Sequence, residues 1–266
     1  MGLSYAIALA AMAAALCSLM GCAWFVQQRT GNSGWVDTIW TFSVGLVGMG
    51  AALWPFAQTS LPVRQVMVAA LVAAWALRLG LHIAARTAGG QDDPRYADYA
   101  RQWGEAARRK MFVFLQQQAL GSLPLVLAIF LAAQAPVATL RVQDFLGAII
   151  LAVGIVGEAI ADAQLERFRD NPVNKEKVCD IGLWRWSRHP NYFFQWLGWL
   201  AYPVIAIAPG YPLGFAALLA PLFMFYILNY ATGVPPLEAQ MERSRGQAWR
   251  AYAARTSRFF PLPPKS

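Results

Sequence analysis

Seven apolar runs divide the chain, at about 3–26, 36–56, 63–83, 111–132, 143–163, 192–208 and 212–230. Each is close to the length that crosses a hydrocarbon core roughly 30 Å thick, some with tilt. Backbone breakers lie between them: Gly31-Asn32-Ser33-Gly34, Pro62, Gly89-Gly90, Pro136, Asn171-Pro172 and Pro209-Gly210. The pattern predicts an all-α, polytopic membrane protein: a seven-transmembrane-helix bundle forming one integral membrane domain over residues 1–266.

Composition strengthens this reading. Only 14% of the 266 residues are charged and 58% are hydrophobic, with mean hydropathy +0.39; soluble domains carry about 25% charged residues. Cys17, Cys22 and Cys179 have neither metal-ligand spacing nor the look of a disulfide framework. Leu19-Met20-Gly21-Cys22 faintly resembles a lipoprotein processing site, but no Lys or Arg precedes it, so 3–26 is expected to be a retained span. Ala6 breaks the myristoylation pattern.

Charge placement sets an expected orientation. With the N-terminus outside, 19 of the 22 Lys and Arg residues fall in inside loops and the tail, against Arg64 and Arg141 outside. The positive-inside rule then gives N-out, C-in and an odd number of spans. The net charge of +8 therefore reads as topology rather than nucleic-acid binding, since no soluble basic domain is present. Three basic inside segments also suit contact with anionic membrane lipids, or a multiply anionic cytosolic cofactor whose phosphates need several cations. The two readings are compatible.

Some residues do not belong in lipid. The densest stretch is Gly182–Gln195, GLWRWSRHPNYFFQ, a cationic and aromatic knot at the mouth of an apolar run. Pro190 should stop a helix from running through His189. Asp37 opens the second run, Arg78 and His82 share a face of the third, and Glu158 and Asp162 share a face of the fifth, with Arg169 beyond. Intramembrane ionisable groups mark interior or water-filled sites. Tyr96, Tyr99 and Trp103 point to a loop folded against the membrane face or a ligand, and Gln116-Gln117-Gln118 needs internal partners. The tail from Glu238 to Pro264 alternates aromatics with arginines, suggesting a short helix docked on the basic face.

No dinucleotide fingerprint, Walker loop, metal-ligand spacing or Gly-x-Ser-x-Gly elbow occurs, and Ser187 has no evident triad. What remains is chemistry on an apolar substrate from the bilayer with a charged cofactor from the cytosol. Hydride transfer to an enone fits, with Asp37 or His82 polarising a carbonyl. Methyl transfer fits as well.

Ser187-Arg188-His189-Pro190-Asn191-Tyr192-Phe193, preceded by Gly182-Leu183-Trp184, resembles the C-terminal signature of the membrane steroid 5α-reductase family, especially its bacterial, DUF1295-like branch. A looser RHPxY occurs in isoprenylcysteine carboxyl methyltransferases. Asn32-Ser33 before Asp37 and Trp40, Trp75 with Arg78 and His82, and Asp93-Pro94-Arg95-Tyr96 extend the similarity from about residue 30 to 261. The resemblance implies a seven-helix NADPH-dependent reductase acting on the Δ4 bond of 3-oxo steroids, multi-pass in a bacterial inner membrane. Its cofactor signature falls at about 111–261.

Carried over, Asn191 matches a cofactor-contacting asparagine, and Asp162 and Arg169 match an acidic and a basic contact. Lys177 stands where the family has an arginine near the adenosine phosphate. The candidate cofactor set is completed by Arg95, Glu158, Trp186, Arg188, His189, Tyr192, Gln195 and Arg258. Asp37 stands near the catalytic glutamate; His82 is the candidate carbonyl donor, with Tyr96 behind it. Gln195 replaces a usual glutamate and Glu158 a neutral asparagine. The competing expectation is an S-adenosylmethionine-dependent methyltransferase.

Overall fold

The computed structural model describes residues 2–55, 62–90 and 94–265, without the side chains of residues 2, 3, 94 and 95. All its regular elements are helical. Two isolated bridges are the only extended pairings among the described residues. Five helical stretches are long and apolar enough to cross a membrane: Ser4–Thr30, Pro62–Ala88, Tyr96–Ala133, Val142–Asp170 and Pro212–Arg255. These fit an integral, multi-pass membrane protein in contact with lipid.

The chain divides into two compact units. The first comprises residues 1–146 and 202–220. It holds α1 (Gly2–Thr30), α2 (Gly34–Ala52), α3 (Pro62–Ala88), α4 (Pro94–Trp103), α5 (Ala107–Gly121) and α6 (Leu123–Ala133). The short α9 (Ala201–Ala206) and a 3-10 segment at Pro212–Leu218 complete it. α2 packs along α3 and α1, so its small residues Gly45 and Gly48 meet Ala76 and Val72 across a close helix–helix contact.

At the far end from Asp37 on α2, an ion pair pins the first unit. Arg64 in the first turn of α3 is completely buried. Its Nε donates to Asp144 Oδ1 at 3.1 Å and its Nη2 to Oδ2 at 3.2 Å. The remaining N–H groups reach the carbonyls of Ala135, Val137 and Thr139. One guanidinium thus ties three carbonyls of an irregular connection to the first turn of α3.

The second unit comprises 147–201 and 221–266. It is built on α7 (Val142–Asp170, from residue 147), α8 (Pro190–Trp199), α10 (Leu219–Tyr226, from residue 221), a π-helical turn at Ile227–Ala231 and α11 (Val234–Arg255). α7 and α8 approach at backbone distance: a Cβ on Gly154 would lie 2.9 Å from Gly198 Cα and from the Phe194 carbonyl. The outer face of α7 carries Ile149, Val153, Val156 and Ile160, each roughly half exposed at helical spacing, as lipid contact requires.

The apolar runs are segmented more finely than their hydropathy predicts. The run at 111–132 is split at Ser122, whose hydroxyl bonds back to the Gln118 carbonyl at 2.7 Å. The run at 192–208 breaks at Leu200, and the run at 212–230 passes from 3-10 through α to π geometry.

Candidate functional site

The Gly182–Gln195 stretch organises the second unit. Gly182 has φ +54°, and a Cβ there would meet the Gln164 side chain at 2.5 Å, so only glycine fits the turn. Gln164 Oε1 accepts from Leu183 N at 2.9 Å and Trp184 Nε1 donates to the Ala161 carbonyl at 2.9 Å, tying the loop to α7. His189 is non-helical (φ −139°, ψ 59°) and Pro190 is the first residue of α8, as the proline requires.

The C-terminal tail closes on this loop. Arg188 N donates to the Ser257 carbonyl at 2.8 Å and Leu262 N to the Trp186 carbonyl at 3.0 Å. Ser187 Oγ donates to the Phe259 carbonyl at 2.8 Å and accepts from His189 N at 3.1 Å. The fully buried Ser187 is therefore an architectural hydroxyl, consistent with its lack of a triad. Tyr252 donates from its hydroxyl to the Trp184 carbonyl. Phe193, Trp196, Phe225, Phe259 and Phe260 pack edge-on beneath the tail with ring centroids 5.4–6.0 Å apart across the interface. The docked tail expected from its aromatic and arginine content is present, and α11 is itself broken into two shorter helices by a kink at Gly246 (φ +47°, ψ −114°).

Within this frame three side chains converge on Glu238, in the second turn of α11. His189 Nε2 lies 3.1 Å from Oε1, Arg188 Nε 3.3 Å from the same oxygen, and Arg258 Nε 4.0 Å from Oε2. Burial pushes the His189 imidazole below the usual histidine range; Glu238 pulls it up, and Arg188 and Arg258 push it further down, leaving the net shift downward. The ring is thus neutral at pH 7 and donates from Nε2 to the carboxylate, with its plane stacked on Tyr192 at 5.7 Å. Glu238 is the functional-site residue that the sequence reading did not select: 49 positions from His189, it follows Pro235-Pro236 in a polar tail and has no spacing signature.

Asn191 stands one turn from this cluster. Its Nδ2 donates to Asp162 Oδ1 at 3.1 Å, and its Oδ1 accepts from Tyr192 N at 3.0 Å. The amide is thereby oriented, with one N–H and one lone pair still available. Glu158 is buried one turn before Asp162, and Gln195 is buried on α8. Arg169 ends α7 exposed, and Lys177 and Trp186 are exposed in the following loops. Arg95 contributes a helical backbone position in α4, but its side chain, like Asp93, lies outside the described residues.

A phosphorylated cofactor would draw on the cations of this region. The Nε atoms of Arg188 and Arg258 are buried facing Glu238 without completing a hydrogen bond, and Arg258 Nη2 donates to the Asn229 carbonyl at 2.8 Å. Exposed Arg169, Lys177 and Arg185 add cations on the adjoining loops. Burial pushes the Cys179 thiol up, so it behaves as a packed apolar group rather than a thiolate.

In the first unit, Asp37 and Tyr96 are brought together. Tyr96 donates from its hydroxyl to Asp37 Oδ1 at 2.8 Å, and Gln118 Nε2 donates to the same phenol oxygen at 3.3 Å. Tyr96 is nearly fully buried and meets Phe114 edge-on at 6.2 Å. Gln118 answers the expectation of an internal partner for the glutamine cluster, as does Gln116, which donates to the Cys17 carbonyl. His82 is half-buried on α3, one turn after Arg78. Among the described residues no group of three or more His, Cys, Asp and Glu side chains could hold a metal ion.

Comparison with known proteins adds the following. A probable O-methyltransferase, ustE of Ustilaginoidea virens, is 44% identical over 57 residues, which cover 21% of this chain and 20% of that protein. The similarity thus spans about a fifth of the curated relative's length. No solved structure matches. A family model described as "Protein of unknown function (DUF1295)" matches residues 23–256, from the latter part of α1 to the end of α11. The chain therefore belongs to the DUF1295 family.

Proposed function

We propose that the protein is an NADPH-dependent reductase of enones, with 3-oxo-Δ4 steroids as the model substrate class. The observation that carries the reading is the Tyr96–Asp37 hydrogen bond of 2.8 Å in a nearly dry setting. The one phenolic proton is held by Asp37, and a substrate carbonyl arriving at the pair would compete for it as negative charge develops on its oxygen.

The residues divide the work. Tyr96 carries the hydroxyl proton, which Asp37 holds until the substrate carbonyl takes the carboxylate's place as acceptor, and Gln118 fixes the phenol oxygen. Tyr96 thus stands ahead of His82 as donor. Asn191 and Asp162 orient an amide for the cofactor, while Arg188, Arg258, Arg169 and Lys177 offer cations for its phosphates. When bound, NADPH would supply a hydride for the β-carbon of the enone, with the α-carbon taking its proton from water. The apolar substrate is proposed to enter from the bilayer.

The topology belongs to the same proposal. α2 is 19 residues long and strongly apolar apart from Asp37, and the broken helix at 190–206 supplies a further apolar stretch. Added to the five long helices, they make seven spans with the N-terminus outside and the tail in the cytosol. A bacterial inner membrane suits that arrangement.

Methyl transfer from S-adenosylmethionine is the second reading, favoured by the local identity to a protein named as an O-methyltransferase. Asn191→Ala separates cofactor binding from packing. Loss of one neutral hydrogen bond is worth about 0.5–1.5 kcal/mol, so NADPH affinity should fall about tenfold, with the helical circular-dichroism signal unchanged. Unaltered NADPH affinity in Asn191→Ala would remove this residue from the cofactor site.

A further inference from the structure

A cleft in the first unit, separate from the Asp37–Tyr96 pair, is built from both chemistries of a phospholipid headgroup. It has a volume of about 320 Å³ and is lined by Gln27 and Gln28 at the end of α1, the Ala100–Ala107 turn, Arg108 and Met111. The apolar run of α1 ends at Val26, so Gln27-Gln28-Arg29 marks the level at which the helix leaves hydrocarbon. Trp24 sits at the same level. Its Nε1 donates to the Arg108 carbonyl at 3.1 Å, and the Arg108 guanidinium lies over its ring at 5.3 Å. Arg108 is therefore held by an aromatic face and keeps its N–H donors for another partner.

Two charges of opposite sign line the cleft, Glu105 and Arg108, both exposed. Among the described residues neither belongs to an ion pair, although they are three positions apart. The turn between α4 and α5 keeps them apart: Gly104 has φ +52°, and residues 104–106 form a 3-10 turn before α5 starts at Ala107. Below the cleft, Phe25, Phe112 and Val113 are about half exposed, with Phe112 packed edge-on against Trp24 at 5.5 Å. That surface suits acyl chains.

We infer that this cleft binds the headgroup of an aminophospholipid, phosphatidylethanolamine in kind. Its phosphodiester is taken by Arg108 with the Gln27 and Gln28 amides, and its ammonium by Glu105. The carboxylate decides the class. A purely anionic headgroup would set a second negative charge beside Glu105, and a choline headgroup offers it no N–H donor. The inference concerns the lipid around the protein and does not depend on the reaction proposed above.

The test is native mass spectrometry of the purified full chain, delipidated and offered equimolar phosphatidylethanolamine, phosphatidylglycerol and phosphatidylcholine of matched chains. Phosphatidylethanolamine should be retained at least about fivefold over each of the others, taking about 1 kcal/mol for an exposed charge pair. Glu105→Gln is exposed and should fold normally; it should abolish the preference over phosphatidylglycerol while phospholipid is still bound. Arg108→Gln should release all three. Equal retention of the three lipids by the unaltered chain, or an undiminished preference in Glu105→Gln, would overturn the inference.

Discussion

Asp37→Ala is expected to lower enone turnover by about 10²–10⁴-fold, the range for removing a positioned acid–base group, while NADPH affinity stays within about twofold. The reason lies in the pair rather than in the carboxylate alone. Tyr96 is nearly fully buried, and its hydroxyl is fixed by Asp37 at 2.8 Å and by Gln118 at 3.3 Å. Without Asp37 the phenol loses its acceptor, and the donor no longer has a defined direction. Tyr96→Phe should reproduce most of the loss, because it deletes the donor and keeps the ring against Phe114. Asp37→Asn, which keeps an acceptor oxygen, should fall between. Turnover of NADPH with a 3-oxo-Δ4 steroid, followed by absorbance, reads all three; full activity in Asp37→Ala would remove this residue from the reaction.

Asp144→Ala should be the most destabilising single change outside the site. Arg64 and Asp144 are both fully buried, and the guanidinium's charge is balanced by that carboxylate at 3.1 Å. Removing the carboxylate leaves that charge uncompensated, a loss of about 3–5 kcal/mol for a broken buried pair. Arg141, which also reaches Asp144 through its backbone N–H at 2.7 Å, would lose its anchor too. Thermal unfolding in detergent should show a large drop in midpoint for Asp144→Ala. Asp98→Ala, in the exposed Arg101 pair, should change little. Equal midpoints for Asp144→Ala and the unaltered protein would show that the three carbonyls alone hold Arg64.

Much of this was legible in the residues themselves. Pro190 fixes the start of α8 and the non-helical His189, and Gly31 and Gly90, with φ +66° and +89°, sit where helices were expected to stop. The polar intrusions also spoke: a glutamine cluster in an apolar run must find partners, and Gln118 finds Tyr96. What the sequence could not express is pairing across distance. Asp37 and Tyr96 are 59 positions apart, His189 and Glu238 are 49 apart, and Arg64 and Asp144 are 80 apart. Arg64 reads as a loop charge beside Pro62, yet it is buried. Hydropathy is equally blind to hydrogen-bond register, so the break at Ser122 and the π turn at Ile227–Ala231 were merged into unbroken runs.

The cluster on Glu238 bears on which of the two proposed cofactors would suit the second unit. Three basic side chains converge on one carboxylate, and an excess of cations there would suit phosphates. A methyl donor carrying its own amine and carboxylate would draw on the same groups differently, with Glu238 as the partner of the amine. The two readings therefore diverge at binding, before any chemistry occurs. Calorimetric titration of the purified full chain with NADPH and, separately, with S-adenosylmethionine is the most direct measurement. The account predicts saturable binding of NADPH and none of S-adenosylmethionine; saturable binding of S-adenosylmethionine alone would contradict it.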